Sequence, residues 1–483
     1  MTSRRNLLRG ALWLAGTTLL AACGGAAAPS EAPKPAATSA PAGAGAAPTT
    51  APAASAAATK PAAGGGATTP AAGAATSAPA VAGAPAKPAT GTEITYLNQS
   101  RGQFAAMTKL AENYLAQTGV KINIDSPGPV DYPKKLQAAS QGGTMPDTYY
   151  ALDAATMAPY YKAGFALNLK PEMDKGWKKN FQPLILDLLE LKEGNALGIP
   201  PGIYDAPWEV TSYGFLYNPA LLEKAKVDTN KMPTTTPQLM DMLKQLKAAS
   251  VGAFATGGDG GLLGMIQNYA SNWLTDEQID ATHAGKQPWT ADGWKKTIQL
   301  YADMRDAGVI FNNALSADTP TLEKSFFNVN EFAVFFTGVY SIPVQVTTAP
   351  NFTAYSAFPI TKAADAANDP RTPGGPGKNG VVNPKSKVVD AALAYIKWLT
   401  EKDQEQVFMD MVPLVPPNPE ALDPNKIKPQ LKPFAALMDK IQKVTTPRLA
   451  SVNDALIKGV QSLLIKEKTV EQVLADVDKA QKG

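Results

Sequence analysis

From Glu93 onward the chain predicts an α/β protein with largely parallel sheets, large enough for two lobes. Three observations carry this. Apolar spacings of period two and period 3.6 alternate along the chain, as α/β layers require. The globular stretch runs to roughly 390 residues, more than a single hydrophobic core usually serves. Everything before it has a composition that cannot form a core.

The elements follow in order. Glu93 to Leu97 reads as a strand. Phe104, Met107, Leu110, Tyr114 and Leu115 mark one face of a helix that stops at Gly119. Val120 to Ile124 alternates with period two, as a half-buried strand does. A helix over Tyr132 to Gln141 and a strand over Thr148 to Leu152 continue the rhythm. Further on, Thr236 reads as a helix cap with Pro237 at the first position, and Leu239, Leu243 and Leu246 face inward. Trp294, Ile298, Tyr301 and Met304 stripe another helix, which ends at Gly308. Glu331 to Phe336 reads as a strand and Ala391 to Leu399 as a helix, with Trp294 and Trp398 in the core. Thr469 and Gln472 sit at capping-box spacing before a C-terminal helix.

The preceding residues address and tether the protein. Arg4, Arg5 and Arg9 form a positive region, and an apolar run from Ala11 to Ala22 follows. That run is shorter than the about 20 residues a membrane-spanning helix needs. It ends in Leu20-Ala21-Ala22-Cys23, which resembles the bacterial lipobox, where the thiol is lipidated and the signal is cut before it. An ordinary secretory signal with an incidental cysteine is the alternative. Ser3-Arg4-Arg5-Asn6-Leu7-Leu8 also resembles a twin-arginine signal, so export by the Sec or the twin-arginine route is open. Cys23 is the only cysteine in the sequence, so no disulfide can form within the chain. Lipoprotein maturation adds several acyl chains, enough for stable anchoring on the extracytoplasmic face of the membrane. From Gly24 to about Gly91 the composition falls to Ala, Pro, Gly, Ser and Thr. Such a stretch cannot offset its ordering entropy and is expected to be a disordered tether, spanning roughly 45 Å as a flexible coil.

Charge excludes one class of partner. The chain is formally +3, but removing Arg4, Arg5 and Arg9 with the signal leaves 42 basic against 42 acidic residues. No basic surplus remains to argue for nucleic acid.

The order of the motifs resembles the family 1 extracellular solute-binding proteins, which include the maltose-binding type. The polar loop Asn98-Gln99-Ser100-Arg101-Gly102 follows the first strand. Gly142-Gly143-Thr144-Met145-Pro146-Asp147 stands where the family has a small-residue turn, Pro-Asp and a strand. Gly198-Ile199-Pro200 leads to Leu216-Tyr217-Asn218, similar to the family's crossing segment. Pro233 to Pro237 enters a helix without the family's tryptophan. Phe326 to Gly338, with Tyr340, and Gly374-Gly375 before the helix from Asp390 to Leu399 complete the series. The resemblance implies a type II, two-lobe periplasmic-binding-protein-like fold with a ligand cleft, discontinuous lobes and three hinge crossings. These are expected near Ile203–Trp208, Tyr355–Phe358 and Val412–Pro417. Residues 92–205 plus 357–414 would form the N-lobe and 206–356 plus 415–483 the C-lobe. The implied function is capture of a small ligand, a sugar or oligosaccharide, by hinge closure, with delivery to the permease subunits of an ABC importer. A carbohydrate-active enzyme or sensor on the same scaffold, or capture of a polyamine or glycerophosphodiester, is the alternative.

Catalysis is poorly supported. His283 is the single histidine and lies in a Thr-His-Ala-Gly stretch that reads as a surface turn. With no free thiol, neither a Cys/His nor a Ser-His-Asp arrangement is readily built, and no zinc cluster, metal site or cofactor motif stands out. Tyr149-Tyr150 and Tyr160-Tyr161 read as structural pairs. The Gly257 to Gly261 loop lacks the Lys-Ser/Thr ending of a phosphate loop, and Asp259 facing a cleft is its minority reading. A sugar needs aromatic platforms and polar edges. Tyr204, Trp208, Trp273 and Tyr340 are the candidate platforms. Asn98, Gln99, Arg101 and Asp153 follow strands at the carboxyl end, where open α/β sheets bind ligands. Only four arginines, Arg101, Arg305, Arg371 and Arg448, remain beyond the signal, which disfavours a dianionic ligand.

Overall fold

The computed structural model describes residues 91–483, apart from 100, 312, 313, 315, 353–355, 359 and 424. The signal, Cys23 and tether lie outside the described residues.

Among the described residues, eight strands carry the fold: β1 (Glu93–Leu97), β2 (Lys121–Asp125), β3 (Thr148–Ala151), β4 (Ala206–Tyr217), β5 (Gly252–Thr256), β6 (Phe332–Gly338), β7 (Ser356–Phe358) and β8 (Gly374–Val382). They join in one path, β2-β1-β3-β8-β4-β6-β5, with β7 paired to β4 off the path. β1 pairs with β2 and β3 in parallel, as does β5 with β6. The expectation of largely parallel sheets fails at the centre. There β8 runs antiparallel to β3 and β4, and β4 runs antiparallel to β6 and β7. The two long central strands link the halves of the molecule, so they need no βαβ crossover and return antiparallel.

Two main cores flank this axis. The first gathers Ile94, Tyr96, Met107, Leu110 and Tyr114 with Trp208, Val382, Tyr395 and Trp398. Its helix, Phe104–Thr118, ends where Gly119 adopts a left-handed φ of 76°, which costs a residue without a Cβ little. Phe104 and Leu115, expected inside, are 47% and 44% exposed. The inward stripe runs instead through Met107, Leu110, Ala111 and Tyr114. The second core gathers Phe215, Leu239, Leu243, Leu246, Tyr269, Trp294, Ile298 and Tyr301 with the C-terminal helices Ala450–Leu464 and Val470–Lys482. Thr235, not Thr236, caps the helix Thr236–Ala248, because its hydroxyl receives the Gln238 N–H in a full capping box. The Thr469–Gln472 box is present as expected.

β4 passes from the first core to the second. Its residues Ala206 to Ser212 pair with β8, and Tyr213 to Tyr217 pair with β6. Ile203 and Trp208 still pack in the first core, so the passage falls after the segment where a hinge was expected. β7 lies against Phe215 to Tyr217, on the second side, and the return runs along β8. Tyr355 lies outside the described residues. Val210, Ile185, Val415 and Ile441 form a small apolar cluster at the joint.

Candidate functional site

A cavity of about 270 Å³ opens between a third buried cluster, which includes Tyr149, Tyr161 and Tyr204, and residues beside the second core. On the first side, the helix Ala154–Lys162 carries Tyr161 to its edge. Asp153 fixes the start of that helix, accepting from the Ala155 and Thr156 N–H groups at 3.1 Å each and from the Thr156 hydroxyl at 2.6 Å. Asp153 therefore lines the cavity while serving as a cap. Tyr204 lies nearly parallel on Tyr161, with centroids 5.2 Å apart and planes 23° apart, and its hydroxyl donates to the Pro200 carbonyl at 3.1 Å.

Beside this pair sits Asp205. Its Oδ2 accepts from the Tyr161 hydroxyl at 2.8 Å, and its Oδ1 accepts from Asn379 Nδ2 at 2.7 Å. Burial pushes this carboxyl up to about 6, and the two hydrogen bonds hold it back in part. The remaining Asn379 oxygen is buried without a partner.

The second side contributes Arg448, Gln267, Asn453 and His283. Arg448 Nε donates to Asn453 Oδ1 at 2.8 Å, and Nη1 donates to Gln267 Oε1 at 3.0 Å. Gln267 is anchored in turn by Gln442, 2.9 Å away. Burial lowers the Arg448 guanidinium to about 10, against the opposing charge of Asp153.

The surface-turn expectation for His283 is overturned. It is the last residue of the helix Asp276–His283, 2% exposed, and its ring lies 5.6 Å from Trp289 at 21°. Trp289 and Trp294 fold back over it, which a local reading could not show. Its Nδ1 lies 2.8 Å from the Thr446 carbonyl oxygen. A carbonyl only accepts, so Nδ1 carries the proton and Nε2 is a lone-pair acceptor. That Nε2 is buried without a partner, and burial depresses the imidazole to about 3, so the ring is neutral.

A second polar cluster spans the two sides farther along. Arg101 pairs with Glu323, the last residue of the helix Thr319–Glu323. Glu323 also accepts from the Ser341 hydroxyl at 2.6 Å, and the Arg101 guanidinium lies 5.8 Å from the Tyr340 ring. Tyr340 meets Tyr213 edge-on at 5.9 Å. Next to Arg101, a Cβ on Gly102 would fall 2.3 Å from the Pro343 backbone, so only glycine permits this approach. Asp259 caps the helix Gly260–Ala270, accepts from the Thr319 N–H and hydroxyl, and stabilises the Arg101 charge. Its minority reading gains this much. Between the clusters, Lys378 donates to the Gln99 carbonyl at 3.4 Å and lies over the Tyr150 ring at 5.1 Å. Burial lowers it to about 8, while Glu209 opposes the shift.

Of the expected ligand residues, Asp153 and Tyr204 line the cavity, and Arg101 and Tyr340 meet each other in the second cluster. Asn98 and Gln99 are buried in the loop after β1, where the Asn98 side chain accepts the Gln99 N–H at 2.8 Å. Trp208 is a core residue: 3% exposed, it meets Tyr96 edge-on at 6.3 Å. Trp273 belongs to a separate surface groove, donating to Asp365 at 3.1 Å with Lys296 over its ring. Trp208 was expected as a platform from its place among Gly and Pro, and Trp273 from its place after Asn268 and Tyr269; packing puts them elsewhere. Asp205, Asn379, Gln267 and Arg448 were missed. The rarity of arginine was the available signal for Arg448, whereas a single acid among 42 carries none. Among the described residues, no group of three or more His, Cys, Asp or Glu could hold a metal ion. None of the helices among them is long and apolar enough to cross a membrane.

Comparison with solved structures shows the fold. The chain is similar to an ABC transporter solute-binding protein from Thermotoga lettingae bound with α-D-tagatose, at 17% identity and TM-score 0.66, covering 81% of this chain and 100% of that one. It is similar to a chain from a study of xylan utilization by Caldanaerobius polysaccharolyticus, at 19% identity and TM-score 0.68, covering 80% and 99%. It also resembles the GacH receptor of Streptomyces glaucescens, solved unliganded and with acarbose, at 17% identity and TM-score 0.64, covering 80% and 97%. The architecture is thus the type II, two-lobe periplasmic-binding-protein fold. No curated protein sequence matches the chain. The family model described as bacterial extracellular solute-binding protein matches residues 109–433, two thirds of the sequence, and the chain belongs to that family.

Proposed function

We propose that this protein captures a small sugar between its lobes and delivers it to the permease subunits of an ABC importer, held at the membrane by a lipid on Cys23. The observation that carries this is the cavity itself, lined from two sides, with the Tyr161–Tyr204 pair and a buried carboxylate on one and a guanidinium on the other. Such a lining offers an apolar face beside acceptors and donors, which is what the C–H faces and hydroxyl edges of a sugar need. At about 270 Å³ it lies just below the about 300–1,000 Å³ that ligand sites usually span. That size favours one or two rings over a long oligosaccharide. The neighbours' sugar ligands support the same reading. Ligand contacts to both walls would stabilise the closed form, a hinge closure about the β4 and β8 passages. Lobes of residues 92–205 plus 357–414 and 206–356 plus 415–483 remain the proposed division, with the first passage moved into β4.

The test is a calorimetric and thermal-shift screen of the full chain against mono- and oligosaccharides, polyamines and glycerophosphodiesters. Micromolar binding of a mono- or disaccharide is expected, about −8 kcal/mol. Binding confined to polyamines or phosphodiesters would sink the sugar reading. For the anchor, Cys23→Ser should move the protein out of the washed membrane fraction, and its retention there would refute lipidation.

A further inference from the structure

We propose that the cavity takes an amino sugar, a small polyhydroxylated ligand whose primary ammonium group docks on Asp205. The inference rests on the sugar-capture reading and specifies its ligand.

Charge matching along the cleft leads to it. Three cations line the region where the lobes meet, and each faces an acid: Arg101 pairs with Glu323, Lys378 is stabilised by Glu209, and Arg448 is stabilised by Asp153. Asp205 has no such counterpart. Among the described residues no lysine or arginine reaches it, and its two hydrogen bonds come from a neutral phenol and a neutral amide. A buried carboxylate without a cation is costly, and an incoming cation relieves that cost more than a hydroxyl can, because the pair interacts at low dielectric. At pH 7.5 the group is ionised, since burial raises it only to about 6.

The neighbouring polar atoms point the same way. Asn379 Oδ1 and His283 Nε2 belong to cavity-lining residues, are buried without partners, and can only accept. An ammonium brings three N–H donors, and the Asp205 carboxylate, with only two neutral donors on it, has lone pairs left to accept them. A guanidinium faces them from the other wall. With Nε and one Nη1 hydrogen engaged, the remaining terminal N–H groups of Arg448 are donors for a hydroxyl or ring oxygen. One end of the ligand should therefore be donor-rich and cationic, and the other oxygen-rich.

Calorimetry on the full chain at pH 7.5 tests this with D-glucosamine, D-galactosamine and D-mannosamine, each beside its parent hexose and its N-acetyl derivative. At least one amine should bind tenfold or more tightly than both neutral counterparts, and Asp205→Asn should erase that preference. A neutral hexose or N-acetyl sugar that binds as tightly as its amine would overturn the inference and leave the sugar reading intact. Persistence of the preference in Asp205→Asn would also overturn it. Failure of every sugar to bind would overturn both. The comparison on the unmodified protein decides even where the variant does not fold.

Discussion

The two ends of the interlobe cleft are built from similar residues and treated in opposite ways. At one end Arg101, Glu323, Ser341 and Tyr340 satisfy one another, and Gly102 lets the backbones touch. At the other end Asp205, Asn379, His283 and Arg448 surround open volume and leave acceptors unmatched. Buried polar groups are normally paired, and each exception asks for a reason. The closed end needs no ligand to complete it, whereas the open end does. We read the first as a contact that helps close the lobes and the second as the place where the ligand completes the closure.

The largest expected effect lies in neither end. Trp208, a candidate platform by sequence, packs against Tyr96 and the Ile396 side of the first core, beneath the joint. Trp208→Ala should lower unfolding stability by about 3–5 kcal/mol through lost burial and a residual cavity. The affinity of the protein that remains folded should be unchanged, because the ring does not line the cavity. A large loss of affinity at full stability would return Trp208 to the binding surface.

Asp205 supplies the next effect. Its folded carboxyl is raised to about 6 from an ordinary 3.8, so its contribution is fully present below pH 4. It is lost as pH rises through about 6, where the buried group must ionise. Without ligand, the unmodified protein should therefore lose stability between pH 4 and 6 relative to Asp205→Asn, by about 3 kcal/mol at most. Tyr149 and Tyr161 also face this carboxylate, but burial holds both phenols above their ordinary range. His283, on the same cavity, stays neutral across the window, and Arg448 keeps its charge there. Denaturant titrations of both proteins at several pH values check the sign. A difference that grows toward acid would show that Asp205 is ionised more easily than its surroundings imply.

The comparison also explains what the sequence could and could not disclose. Elements written in local periodicity were legible: Glu93–Leu97 and Tyr132–Gln141 have the bounds that spacing predicts. The central antiparallel pairing was not, because β4 and β8 stand about 160 residues apart and no hairpin turn joins them. The site behaved likewise. Tyr204 was singled out because it lies among Gly and Pro; in the fold it is buried against Tyr161 and lines the cavity. Asp205, its neighbour, owes its burial to Tyr161 and Asn379, which lie 44 and 174 residues away. Arg101 was singled out as a ligand residue from its place after the first strand, and in the fold an acid of the chain itself, Glu323, meets it.

If Arg101 acts through closure, its partner matters as much as it does. Removing one member of a buried ion pair leaves the other uncompensated, but here the lobes can part and let water reach it. The cost should then fall on the closed population rather than on folding. Apparent affinity scales with the competent fraction, so a tenfold smaller closed fraction weakens binding tenfold, about 1.4 kcal/mol. Arg101→Ala and Glu323→Gln should each produce roughly this loss and a larger radius of gyration in small-angle scattering without ligand. The double variant should be little worse than either, because both remove one contact. A ligand-touching Arg101 would behave differently: Arg101→Ala would weaken binding with the unliganded shape unchanged, and Glu323→Gln would leave affinity intact.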